Sequence, residues 1–193
     1  HMGDPPMSTA SLMVGSALRL RRWILKNTPF VRSRATVRDY DTFNPDPNVL
    51  QCVRWLCMAR DRYRHYKKLR RFASNGGVVI CDRFPVEKLR LMDGPRIRRS
   101  LNGTADSAVG QFLMNREESY YRQIMPPDLL VVLRADPDVA ASRKTTEPES
   151  HVRPRAKELW DVDWNGTSAH LINADRPLPD VLADVRALVW AEL

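Results

Sequence analysis

The chain is poor in cysteine, with three in 193 residues, and has no apolar run near the roughly 18 to 20 residues that a bilayer-spanning helix needs. Cys52, Cys57 and Cys81 are odd in number and lie inside apolar segments. This argues against a disulfide framework and predicts reduced, buried thiols. The first residues lack an apolar core followed by a small-residue cleavage site, so a cytoplasmic protein without membrane association is expected. His1, His65, His151 and His170 show no metal-ligand spacing, and the cysteines form no Cys-x-x-Cys pair, which disfavours structural zinc. No serine or cysteine stands in a nucleophile-elbow context, so covalent hydrolase chemistry has no support. Repeats, heptads and low-complexity tracts are absent as well. With a hydrophobic content of 43%, a single domain spanning residues 1–193 is the expectation.

What is present is positive charge. Thirty-one lysines and arginines against 23 acidic residues give a net charge of +8, and the cations cluster in Arg19 to Arg22, Arg60 to Arg71 and Arg96 to Arg99. Clustering of this kind points to an anionic partner. It leaves open a nucleotide, a nucleic acid or a lipid headgroup, beside the plain alternative of a solvated basic surface.

Hydrophobic spacing predicts a helix from Ser8 to Lys26 that serves core packing or, alternatively, a membrane surface. A long connection from Asn27 to Pro47 leads to a second helix, from Pro47 to about Ser74, with Val49, Val53, Leu56, Leu69 and Phe72 inward. Asn75-Gly76-Gly77 should end it. Val78 to Cys81 reads as a strand buried on both faces. A helix from Ala105 to Met125, a buried strand Leu129 to Leu133, and a short helix from Asp136-Pro137 to Arg143 follow. Next come a polar stretch from Lys144 to His151, a strand His170 to Asn173 and a closing helix from Pro179 to Glu192. Strands alternating with helices indicate an α/β fold with a parallel sheet and right-handed crossovers.

In open parallel sheets, ligands bind beyond the carboxyl ends of the strands. Asp82 and Arg83 occupy such a position: a carboxylate there can support hydrated magnesium or orient a hydroxyl, and a guanidinium can grip phosphate in a fork. A structural ion pair explains the same residues. Arg60, Asp61 and Arg62 interrupt the apolar pattern of the second helix and want solvent or a ligand. Arg143, Lys144, Arg153 and Arg155 surround a flexible stretch, as in a mobile lid that brings positive charge to a phosphoryl group; an ordinary exposed loop is the alternative.

Taken in order, these pieces resemble thymidylate-kinase-like P-loop nucleotide kinases. Ala59-Arg60-Asp61-Arg62 followed by Gly77-Val78-Val79-Ile80-Cys81-Asp82-Arg83-Phe84 looks like that family's helix arginine and its strand ending in Asp-Arg-aromatic. Pro127 to Leu133, Asp136-Pro137, Arg143-Lys144 and Asn173-Ala174-Asp175 look like the next strand, the following helix, the lid start and the turn near adenine. The resemblance runs from about Asn48 to the C-terminus and rests on order more than on any single motif. It implies a three-layer P-loop NTPase-like sheet flanked by helices, with ATP and magnesium as cofactors. It implies that Arg62, Arg83 and Arg96 serve the acceptor, that Asp82 supports magnesium or the acceptor, and that Arg153 and Arg155 act in the lid, about residues 143–157. Arg143 and Lys144 would face donor phosphates, and Ala174 would meet adenine through its backbone.

Two departures qualify it. Gly-x-x-x-x-Gly-Lys-Ser/Thr occurs nowhere in the sequence, so the cradle and lysine for donor phosphates are lacking and an upstream segment of about forty residues, with the first strand, is expected to be missing. After Phe84 the chain reads Pro85-Val86-Glu87-Lys88 in place of the family's serine-containing continuation, which tells against thymidylate as acceptor. The expectation is phosphoryl transfer from ATP to a nucleotide or related small acceptor once a P-loop is supplied, with only non-specific nucleic-acid contact, no membrane, and a homodimer as one open oligomeric state. A nucleic-acid-binding module, suggested by Tyr63 and Tyr66 among the cations of Arg60 to Arg71, and a non-catalytic interaction protein are the competing readings.

Overall fold

A computed structural model describes residues 6–27, 48–86, 88, 89, 94–100 and 107–192. The expected connection up to Pro47 lies outside them from residue 28 onward, as does the expected helix start at Ala105. The described part is α/β and falls into two compact units, one drawn from residues 1–85 and 93–124, the other from 86–92 and 125–193.

The first unit is helical: α1 (Thr9–Asn27), α2 (Val49–Ser74), the single turn α3 (Ile97–Ser100) and α4 (Ala108–Tyr121). Asn48 caps α2 by accepting from the Gln51 N–H at 2.9 Å, and Ser107 caps α4 by accepting from Gly110 at 3.1 Å; each satisfies a donor the helix itself leaves orphaned. The α2 helix stops where Gly76 turns to φ +83°, a conformation glycine accepts at no steric cost. The core joins Cys52 and Trp55 of α2 to Ile97 of α3 and Leu113 and Met114 of α4.

This corrects the expected inward face of α2. Val53 and Leu56 only border the core, and Val49 and Phe72 are 56% and 59% exposed. The buried stripe is Cys52, Trp55, Ala59 and Arg62, with Gln51 and Asp61. A reading that sends every charge to solvent rotates the face away from Asp61 and Arg62, which are buried because each has partners inside the unit. Val78 to Cys81 also departs from expectation: it forms no strand, and Val78 and Ile80 are 58% and 87% exposed. Extended backbone becomes strand only against a neighbour, and the ladder among the described residues lies elsewhere.

That ladder is in the second unit, where β1 (Leu130–Arg134) pairs in parallel with β2 (Ala169–Asn173), from Leu130 opposite Ala169 to Arg134 opposite Asn173. Between them run α5 (Pro137–Arg143) and α6 (Glu149–Asp161), and α7 (Leu178–Glu192) closes the chain. Parallel pairing requires such a crossover. Leu89, Val132 and Trp164 form the core, and the Trp164 indole donates to the Leu159 carbonyl at 3.3 Å. The β1 strand is not buried on both faces as expected, since Leu133 is 49% exposed, and Leu171 on β2 is 45% exposed.

Asp136 caps α5 by accepting from the Asp138 N–H at 2.8 Å, with Pro137 in the first turn, where its missing donor costs nothing. The stretch read from sequence as flexible is helical from Glu149 onward, with Pro154 inside the helix. Proline removes one ladder bond and crowds the preceding turn. Pairs between Arg153 and Glu149 and between Lys157 and Asp161, each one turn apart, support the turns around it.

Candidate functional site

The second unit places its polar loops beyond the carboxyl ends of β1 and β2, where parallel sheets receive ligands. The Ala174 N–H continues the ladder by donating to the Arg134 carbonyl at 2.8 Å. Asp175 accepts from the Asp136 N–H at 2.9 Å, and Asn173 accepts from the Asp175 N–H at 2.8 Å. Arg143, at the end of α5, then spans both: its guanidinium donates to the Ala174 carbonyl at 2.5 Å and to the Asp175 carbonyl at 2.8 Å. A planar fork suits two adjacent carbonyls as it suits two phosphate oxygens. Two residues singled out from sequence, Arg143 and Ala174, thus meet directly.

The other cations singled out from sequence in this unit, Lys144, Arg153 and Arg155, rest on carboxylates. Lys144 and Arg155 share Glu147, at 2.8 and 3.1 Å. Arg153 pairs with both Asp138 and Glu149. These side chains are partly or well exposed, so each pair is worth at most about 1 kcal/mol and exchanges readily for another anion. The result is an outer surface of α5 and α6 whose cations are held by side chains a phosphate could displace.

The first unit holds the remaining candidates. Arg62 is 2% exposed and donates to the Tyr121 hydroxyl, with its guanidinium carbon 5.8 Å from that ring. Burial pushes the Tyr121 hydroxyl above its ordinary range, and the Arg62 charge opposes that shift. Arg96 is half-buried, and its backbone N–H donates to Glu117 at 3.0 Å, beside the Ile97 N–H at 2.8 Å. Asp82 and Arg83 are exposed beyond Cys81.

Asp61, read from sequence as wanting solvent or a ligand, is instead taken up inside the protein. It accepts from the Ser8 N–H at 2.9 Å, the Ser8 hydroxyl at 3.0 Å and the Ser11 hydroxyl, and Arg60 lies 3.5 Å away. Burial pushes its carboxyl upward, but the hydrogen bonds from Ser11 and Ser8 and the Arg60 charge outweigh it and hold the carboxyl below the usual range. The start of α1 is thereby tied to the middle of α2.

Cys52 is buried, Cys57 and Cys81 are half-buried, and all three are free thiols. Burial raises each thiol above its ordinary range, which keeps them protonated and unreactive. Among the described residues no three histidine, cysteine, aspartate or glutamate side chains gather as a metal would require, and no helix is long and apolar enough to cross a membrane. Sequence reasoning named Asp136 and Asp175 only as parts of a helix start and a turn, without a role in the site, and missed Glu147. The signal for the first two was an aspartate within two residues of each strand's end.

With this geometry in place, comparison with known proteins adds one name. The chain is 27% identical over 147 residues to a protein of Escherichia coli strain K12 described as an uncharacterized ATP-binding protein, YghR. It matches the like-named protein of Escherichia coli O6:H1 to the same degree. The match covers 74% of this chain and 57% of each relative, so the chain spans little more than half the length of these relatives. No family model matches the chain, and no solved structure matches it at a significant level.

Proposed function

We propose that this chain supplies the nucleotide-binding part of a phosphotransferase, with ATP as donor and a nucleotide or related small molecule as acceptor. The observation that carries the reading is the Arg143 fork, which fixes the turn at Ala174 and Asp175 beyond the carboxyl ends of a parallel strand pair. The ATP-binding description of the two relatives and the ordered resemblance to thymidylate-kinase-like proteins support it.

The residues fit an adenine nucleotide in part. The Ala174 N–H is committed to Arg134, and its carbonyl already accepts from Arg143; a carbonyl has a second lone pair, which suits the exocyclic amino group of adenine. Lys144, Arg153 and Arg155 then serve the phosphates by exchanging Glu147, Glu149 and Asp138 for phosphoryl oxygens. Magnesium fits only as an ion arriving with the nucleotide. By the resemblance Asp82 would supply one carboxylate, and magnesium is ordinarily held by one or two carboxylates together with phosphates and water. Magnesium carried in with the nucleotide would neutralise charge on the transferring group.

On the acceptor side the reading assigns Arg83 and Arg96 to phosphate. Arg62, expected from the resemblance to join them, is 2% exposed and donates to Tyr121, so the reading gives it no direct contact with phosphate. The acceptor oxygen attacks the terminal phosphorus, the bond to the bridging oxygen breaks, and ADP leaves; the chain's own part is positioning and charge. The sequence has no Gly-x-x-x-x-Gly-Lys-Ser/Thr, so transfer requires a cradle this chain does not supply.

Titration with a fluorescent ATP analogue tests the reading. Saturable binding that falls on replacing Arg143 by alanine, and on the double change Lys144→Gln with Arg155→Gln, is expected. Binding indifferent to all three positions would overturn it.

A further inference from the structure

The α2 helix carries eight lysines and arginines and one carboxylate, Asp61. That carboxylate points inward and is occupied by Ser8, Ser11 and Arg60. The α4 helix packs against α2, and its only carboxylates are occupied too: Glu117 accepts from the backbone of Arg96 and Ile97, and Glu118 pairs with Arg98 and Arg122. No carboxylate of either helix is therefore left to neutralise the outer face of α2. On that face Arg64, Lys67, Lys68 and Arg71 are all exposed and fall at spacings of three and four, one stripe roughly 10 Å long at 1.5 Å per residue.

Beside the stripe, Tyr63 of α2 and Tyr120 of α4 form a tilted ring pair with centroids 5.8 Å apart. Lys67 lies over the Tyr63 ring at 4.9 Å, and Arg116 lies over Tyr120 at 5.1 Å. Both rings are half-buried and both cations exposed. Cations and aromatic rings thus alternate across the two helices. An exposed cation on a ring contributes about 1 kcal/mol at most, little enough for a stacking base to displace it.

The geometry points to this α2/α4 face as a docking surface for a single-stranded nucleic acid, whose phosphates meet the stripe while its unpaired bases stack at Tyr63 and Tyr120. A lipid surface fits less well: a helix lying on a membrane needs a continuous apolar face to insert, and the apolar stripe of α2 is spent on the core with Ile97, Leu113 and Met114, leaving only Val49 and Phe72 well exposed at opposite ends of the helix. Binding is tolerant of sequence, because phosphate contacts and ring stacking read no base edges. The surface is independent of the nucleotide reading and stands or falls by itself.

The test is fluorescence anisotropy of a labelled oligothymidylate titrated with the 193-residue chain at several salt concentrations. Four cations predict a log-log salt slope of about −3, from about −0.7 per phosphate neutralised on a single strand. The double change Lys67→Gln with Lys68→Gln should weaken binding about tenfold and flatten the slope by roughly 1.4. Tyr63→Leu should weaken it about tenfold with the slope unchanged, as stacking does. Lys157→Gln with Arg186→Gln, an equal loss of charge on other helices, should change neither; circular dichroism and melting confirm that each variant is folded. Three results would overturn the inference: equal losses in the two double variants, competition by polyglutamate as effective as by unlabelled oligothymidylate, or preferential binding to phosphatidylserine vesicles.

Discussion

Arg143 donates to the carbonyl of Ala174 at 2.5 Å, joining the end of α5 to the turn that follows β2. Its second arm reaches the Asp175 carbonyl at 2.8 Å, so one side chain orders the loop edge where a parallel strand pair presents a ligand site. Because Arg143 is exposed, its effect on global stability is small and its effect on loop order is large. Arg143→Ala should lower the melting temperature by no more than a few degrees, the equivalent of about 1 kcal/mol, while hydrogen exchange at Ala174 to Arg176 speeds up. Arg143→Lys should restore little, since a point charge cannot span two carbonyls. Unchanged exchange in Arg143→Ala would show that the turn holds itself.

Asp61 gives a pH signature. Its folded-state carboxyl lies below the usual range, so the stability it confers is fully present above the ordinary carboxylate range and is lost as pH falls through the folded value. Asp61→Asn should destabilise the protein by about 1 to 3 kcal/mol at neutral pH, and the gap to wild type should close in acid. Thermal melts from neutral pH down to about pH 3 read this directly. A gap that widens on acidification would contradict the assignment.

The buried Arg62 is sensitive in another way. Removing one member of a buried charged arrangement leaves its neighbours uncompensated and costs about 3 to 5 kcal/mol, so Arg62→Ala should unfold most readily of the variants considered. Tyr121→Phe, which removes one acceptor, should cost about 1 to 2 kcal/mol. Chemical denaturation measures both. A mild Arg62→Ala together with a severe Tyr121→Phe would reverse the roles given to the two residues.

The helices at Thr9–Asn27 and Leu178–Glu192, the two strands and their parallel sense were legible because apolar spacing and the Asp-Pro and Gly-Gly signals are local, whereas the register was not. The inward face of α2 was not, because Asp61 and Arg62 are buried by partners 50 and 59 residues away, Ser11 and Tyr121, and no local pattern encodes that. Val78 to Cys81 carried the composition of a strand, but composition supplies no partner. In the candidate site, Arg143 was found from the cations clustered around a polar stretch and Ala174 by resemblance; that they touch depended on the crossover of α5 and α6, which neither signal reveals. Glu147, Glu149 and Asp138 escaped notice because a sequence search for phosphate sites looks for cations, and the anions that hold them in place look like ordinary surface residues.

Catalysis gives a sharp negative expectation. The chain should show no ATP-dependent phosphoryl transfer to any nucleoside monophosphate, because the cradle and lysine for donor phosphates are missing from its sequence. A coupled assay for ADP release measures this, and robust turnover by a clean preparation would contradict it. In a longer protein that supplies the cradle, Arg83→Ala should cut turnover with little change in melting temperature. The opposite result, a large drop in melting temperature at constant turnover, would make Arg83 a structural residue.

The most direct test of a nucleotide site beyond the carboxyl ends of β1 and β2 is to titrate ATP into isotopically labelled protein and follow the backbone amide resonances. The account predicts shifts concentrated at Arg134 to Asp136, at Asn173 to Arg176 and along Arg143 to Arg155, with the Ala174 amide among the largest. Shifts confined to Tyr63, Lys67 and their neighbours on α2 and α4, or no saturable shifts at millimolar ATP, on the order of the weakest affinities considered specific, would contradict it.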